Sequence, residues 1–308
     1  MVDEARRPTR WWVGWLVALL IIEAFTFGGL FLGMAVLGNP ADTDARSQYE
    51  EVFSVLATLL GLFLWVRFKE GRRFSSLGFR PSRDWVKLLL GFLIGGAMMS
   101  VGVLLGLATG AYGNGLSPHS LNGSSAVLAL LPLILVFLLQ GTNEESIVRG
   151  YMLQVGARQL PGWVAILVTS AIFTVIHTLN PLTFLNIMLY AVFACLVALR
   201  QGSLWLIAGI HGGWNFFQGN VFGLPVSGLN YATSLFTVGP VPGASTMLNG
   251  GAFGLEAGLL GTLVLTSPPS SPTCGTAQPK EGLKPRSRRV TWRFSQDGFR
   301  PALHQHIG

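Results

Sequence analysis

Few ionisable residues interrupt the apolar runs of this chain, and their spacing suggests acid–base chemistry. The set is Glu23, Glu144, Glu145, Arg149, His177, His211 and Glu256. An ionisable group inside a membrane helix is expensive and by default marks a functional site. Glu145 and Arg149 stand four residues apart, so they share a helix face and can pair. Glu144 projects about 100° away from Glu145, toward a different neighbour. Phe173 and His177 share one face, and so do His211 and Asn215 in "HGGWN". Gly212 and Gly213 thin that helix enough to admit a substrate backbone. Two Glu, one Arg, two His and one Asn on three helices form an acid/base and polarising constellation. Each member also has a plainer reading. The Glu–Arg pair could be an interfacial ion pair, and either His could be a helix–helix hydrogen bond. Glu23 and Glu256 show no partner in the sequence and read as structural.

The elements that must position these residues are membrane helices. The chain has 308 residues, of which 50% are hydrophobic and 11% charged, and its mean hydropathy is +0.52. Soluble domains carry about 25% charged residues. Lipid permits only helices or closed barrels, and the alternating short segments of a barrel are absent. The expected fold is all-α, a polytopic transmembrane bundle of about eight spans. The candidate spans are 11–37, 52–67, 87–109, 125–142, 163–179, 182–199, 203–222 and 251–266. Arg6, Arg7 and Arg10 precede the first run, which is too long for a signal peptide and reads as an uncleaved span.

With helix 4 ending near Gly156, Glu144 lies about 18 Å inward, His177 roughly 22 Å into its helix and His211 roughly 12 Å. These depths overlap, so the three can converge in the bundle.

The net charge of +7 does not require nucleic acid, because basic residues also gather on the cytoplasmic side of membrane proteins. The 67–87 loop holds Arg67, Lys69, Arg72, Arg73, Arg80, Arg83 and Lys87, while 110–124 and 223–250 hold no Lys or Arg. The alternation places both termini in the cytoplasm. Gly29/Gly33, Gly91/Gly95 and Gly102/Gly106 are small-residue spacings that let helices approach closely. Three regions follow: a cytoplasmic N-terminus at 1–10, a transmembrane domain at 11–266 with its motif core at 125–222, and a tail at 267–308. The tail is rich in Pro, Ser and Arg and reads as disordered and cytoplasmic. Cys195 and Cys274 carry no metal-ligand spacing, and His304 with His306 is weak as a metal site.

"EESIVRG" resembles an E-E-x-x-x-R motif, "FTVIH" an F-x-x-x-H motif and "HGGWN" an H-x-x-x-N motif. In this order on successive apolar helices they resemble the CPBP family of intramembrane proteases, the Abi group that includes CAAX prenyl endopeptidases and bacteriocin-processing proteins. "LGFR" at 77–80 resembles the stretch that precedes the core in bacterial members. The chain departs from the family after 266, where "SPPSSP" opens an unrelated tail.

The resemblance implies an integral membrane endopeptidase acting on a peptide or protein substrate at the lipid bilayer, with no nucleic acid partner. Carried over, Glu144 is the general base with His177, and together they activate a water. His211 and Asn215 hold the oxyanion, with Glu145, Arg149 and Phe173 in support. No cofactor is assigned. Zinc is the alternative, because the family is often described as metalloproteases, and its candidate ligands are Glu144, Glu145, His177 and His211. The glutamate-dependent route is preferred over the metal-dependent one. A non-catalytic immunity or peptide-binding protein on the same fold is the runner-up. A proton-relay transporter ranks last because no internal repeat is visible.

Overall fold

The computed structural model describes residues 5–38, 46–79, 84–115 and 121–266, with the backbone of 291–295 and 298–302. Helices dominate, as the apolar runs require, since buried or lipid-facing backbone must satisfy its own hydrogen bonds. They are α1 (Trp11–Leu37), α2 (Ser47–Leu64), α3 (Trp85–Ala108) and α4 (Val127–Glu145). These are followed by α5 (Gly162–His177), α6 (Pro181–Gln201), α7 (Trp205–Phe216) and α8 (Leu259–Thr266). The bundle is all-α in class and integral to the membrane. Its outer face carries exposed apolar side chains such as Phe31, Leu104 and Leu128, which suit lipid.

Five described helices are long and apolar enough to cross a membrane. They are α1, α2 with its extension to Lys69, α3, the long element Gly123–Ala157, and α6. Within the described residues the expected eighth span is not a spanning helix. Residues 251–266 form turns, a short 3-10 helix at Leu255–Ala257, and the eight residues of α8. At 1.5 Å per residue α8 covers about 12 Å, less than half of a hydrocarbon core of about 30 Å. Glycines at 250, 251, 254 and 258 break the run.

One helix boundary differs from the sequence reading in a way that matters for the site. α2 begins at Ser47, so Glu50 and Glu51 belong to the helix and not to the preceding loop. α4 runs past its apolar span at 142, as a helix ending near Gly156 requires. It continues through a π-helical stretch at Ser146–Met152 into Leu153–Ala157. The wider turn begins directly after the two glutamates, and such π segments are frequent at functional sites. Turn chemistry starts and ends α6: the Asn180 side chain accepts from the backbone N–H of Leu182 and Thr183, Pro181 follows, and Gly202 closes the helix at φ 61°.

α7 lies between α3 and α4, and glycine makes that possible. A Cβ on Gly95 would sit 2.1 Å from the Ile210 carbonyl oxygen, and one on Gly213 2.1 Å from that of Phe92. Gly212 meets the Phe137 carbonyl of α4 at 2.5 Å by the same measure. Gly212 and Gly213 therefore admit neighbouring helices, not a substrate backbone. Gly213→Ala is expected to push α3 from α7 and cost about 1–3 kcal/mol. A lowered melting temperature in detergent checks this, against Gly28→Ala, whose Cβ would meet nothing within 4 Å.

Arg72 was counted among loop charges, yet it is buried. Its Nε donates to Glu70 at 2.6 Å and its Nη1 to Gln154 at 2.9 Å, while the Thr9 hydroxyl donates to Glu70 at 2.8 Å. This network ties the N-terminal segment, the end of α2 and the extension of α4 together.

At the other end, β1 (Tyr112–Asn114) pairs antiparallel with β4 (Val238–Pro240). β2 (Leu121–Asn122) pairs in parallel with β3 (Thr233–Ser234). Cys274, His304 and His306 lie outside the described residues, as does 267–290. Within the tail the described backbone at Thr291–Ser295 and Gly298–Ala302 forms an antiparallel pair.

Candidate active site

α4, α5 and α7 bring the three motifs to one place. Glu145 is fully buried, and its Oε1 accepts from Arg149 Nη1 at 3.1 Å and lies 2.9 Å from His211 Nδ1. Arg149 also donates to the Ala191 carbonyl at 3.2 Å, and its guanidinium stacks 4.5 Å over the Phe173 ring. Phe173 in turn packs on His177, with ring centroids 4.3 Å apart. The Glu145–Arg149 pair is thus deep in the protein, not at an interface. It connects α4 to α6 through Ala191 and to α7 through His211.

Glu144 points elsewhere, as the 100° step predicts. Its Oε2 is buried, takes no hydrogen bond from the chain, and faces His177 Nε2 and His211 Nε2, each at 3.7 Å. The other ring nitrogens fix the tautomers. His177 Nδ1 is 2.7 Å from the Phe173 carbonyl, which only accepts, so Nδ1 carries the proton. His211 Nδ1 faces the Glu145 carboxylate and carries one likewise. A neutral ring in either case turns an unprotonated Nε2 toward Glu144. Asn215 Nδ2 donates to Gln140 Oε1 at 3.0 Å and keeps a second N–H free for the cavity.

Two adjoining cavities of about 270 and 460 Å³ share Glu144 and His177 in their walls. The larger also takes in His211, Asn215, Tyr190 and Trp214. Two polar lining residues stand outside the set read from the sequence. Gln140 stands one turn before Glu144 on α4, and its i,i+4 spacing is a usable signal. Glu51 precedes the apolar span at 52–67. Glu256, in the set but read as structural, lines the larger cavity, and its partners are remote in sequence: Ser227 N–H donates to it at 2.6 Å, and Gln218 Nε2 donates to its other oxygen. Glu23 lines the smaller cavity from α1.

Zinc ligation wants deprotonated imidazole nitrogens whose partner nitrogens are held by acceptors, and both histidines meet that condition. Glu145, however, is engaged by Arg149 and His211. Among the described residues no group of three or more His, Cys, Asp or Glu is gathered to hold a metal ion. Separations of 3.7 Å around an orphaned carboxylate oxygen suit a water molecule donating to two of the three acceptors gathered there.

The class is therefore an integral membrane helical bundle with a polar, histidine- and glutamate-lined cavity. Residues 126–217 match the family model of the type II CAAX prenyl endopeptidases, Rce1-like. That stretch contains Glu144, Glu145, Arg149, His177, His211 and Asn215, and it establishes the resemblance to the CPBP and CAAX protease family that the motifs carry. The match supports a membrane endopeptidase of the CAAX-protease kind. No curated protein and no solved structure matches the chain.

Proposed function

We propose that the protein hydrolyses a peptide bond within or beside the bilayer with a water activated by Glu144 and His177. The observation that carries this reading is the orphaned Glu144 Oε2 facing two imidazole nitrogens at 3.7 Å. The water donates one proton to Glu144 while its oxygen attacks the carbonyl carbon. General base catalysis of this kind contributes about 10²–10⁴-fold. Asn215 Nδ2 donates to the developing oxyanion, which counts for most in a site that excludes water. His211, whose Nδ1 proton is directed at Glu145, presents an accepting Nε2 that helps to orient the water. Arg149 and Phe173 hold Glu145 and His177 in position.

The substrate is a peptide or protein presented at the lipid bilayer, and nucleic acid has no part in the reading. The distribution of Lys and Arg supports both termini on the cytoplasmic side. The functional test is cleavage of a farnesylated peptide ending in a CAAX box by the purified protein in liposomes. The mechanism carries a second expectation: protein stripped of metal by chelation keeps its full rate. Loss of activity that zinc alone restores would replace the water-and-glutamate route with a metal-dependent one. A non-catalytic peptide-binding role would leave the peptide bound and uncut.

A further inference from the structure

The two cavities around Glu144 hold three further carboxyls that none of the motifs accounts for, Glu23, Glu51 and Glu256. Glu23 is exposed and lines only the smaller cavity. Glu256 lines only the larger one and already accepts from Ser227 and Gln218. Glu51, from the second turn of α2, lines both cavities together with Glu144, Gln140 and His177. α2 packs directly on α4, which carries Glu144. Among the described residues no Lys or Arg lines either cavity, so no Lys or Arg there balances the carboxylates. Carboxyl groups that share such a cavity do not all ionise. Glu144 must be ionised to take a proton from water, and Glu51 is the carboxyl beside it in both cavities. The retained proton then belongs to Glu51.

Peptide cleavage also needs a proton for the leaving nitrogen, and the histidines do not offer one in their neutral state. Each has its proton on Nδ1, committed to the Phe173 carbonyl or to Glu145, and presents a bare Nε2. The proton Glu144 takes from water sits between those two nitrogens at 3.7 Å, both of them acceptors. Resting on the peptidase reading above, we propose that Glu51 is the general acid of the cleavage.

The balance is as follows. The water oxygen forms the new C–O bond as its proton passes to Glu144. The C–N bond breaks with its electron pair going to nitrogen, and Glu51 gives nitrogen its proton. The cycle leaves Glu144 protonated and Glu51 ionised, and one proton crossing the shared cavity through water resets both.

The test compares two substrates that differ only in the leaving group. One is the farnesylated CAAX peptide with its scissile amide. The other is its twin with an aryl ester at the scissile bond, from which a phenolate departs without a proton. Glu51→Gln is expected to slow the amide by about 10²-fold or more and to leave the ester rate essentially unchanged, which also shows that the variant is folded. Equal loss on both substrates, or no loss on the amide, overturns the proposal while leaving the peptidase reading intact. Wild-type protein that cuts neither substrate overturns both.

Discussion

Glu144→Ala abolishes peptide cleavage, lowering the rate by at least the 10²–10⁴-fold (about) that a positioned general base supplies, and leaves the protein folded. The side chain is 26% exposed to the cavity, and its Oε2 takes no hydrogen bond from the chain. Removing it therefore strips no partner from a buried group. Both histidines keep their Nδ1 bonds to Phe173 and Glu145. The measurement pairs a cleavage assay with a melting curve in the same detergent. A comparison of membrane proteomes from wild type and Glu144→Ala would show which precursors accumulate. Unchanged cleavage by the variant would remove Glu144 from the chemistry.

Arg149→Ala gives the opposite pattern, a loss of fold before any question of rate arises. The Glu145–Arg149 pair is fully buried on both sides. Truncating one member leaves Glu145 charged and uncompensated, at a cost of about 3–5 kcal/mol. The loss of the bond to Ala191 and of the stack on Phe173 adds to it. Arg149→Lys rescues little, because an ammonium cannot reach Glu145 and Ala191 together while lying flat on an aromatic ring. Yield in the membrane and melting temperature report the effect. A variant that melts like wild type would show that Glu145 finds another partner. Adjacent glutamates thus separate experimentally: Glu144 reads out in rate, while Glu145 and its arginine read out in stability.

The origin of this split is visible in both the chain and the fold. Helical geometry alone requires Glu145 and Arg149 to share a face and Glu144 to leave it. The same periodicity places Phe173 over His177. Apolar composition fixes an all-α membrane bundle, since lipid permits only helices or closed barrels and the sequence lacks the alternating short segments of a barrel. These are local consequences of residue type and spacing, so they can be read without knowing which helices touch.

Contacts between helices are a different matter. That α7 rests between α3 and α4 depends on glycines meeting carbonyl oxygens across helices, and the spacing Gly91/Gly95 announces close packing without naming its partner. Glu256 looks isolated in the sequence because Ser227 and Gln218 reach it from a distant loop and from the π-helical stretch Phe217–Val221 that follows α7. Glu51 looked like a loop charge because nothing local marks α2 as starting at Ser47. The last apolar run looked like a span because composition does not register how four glycines divide it.

The sequence by itself thus determined the helical class, the membrane setting, the motif residues and the direction in which each glutamate faces, because these follow from periodicity and solvation. Only the tertiary structure decided that His211 gives Nδ1 to Glu145 and Nε2 to Glu144, that Arg149 bridges to α6, and that Glu51 enters the cavity. Those facts rest on distances between residues far apart in the chain, which packing sets and no local pattern encodes.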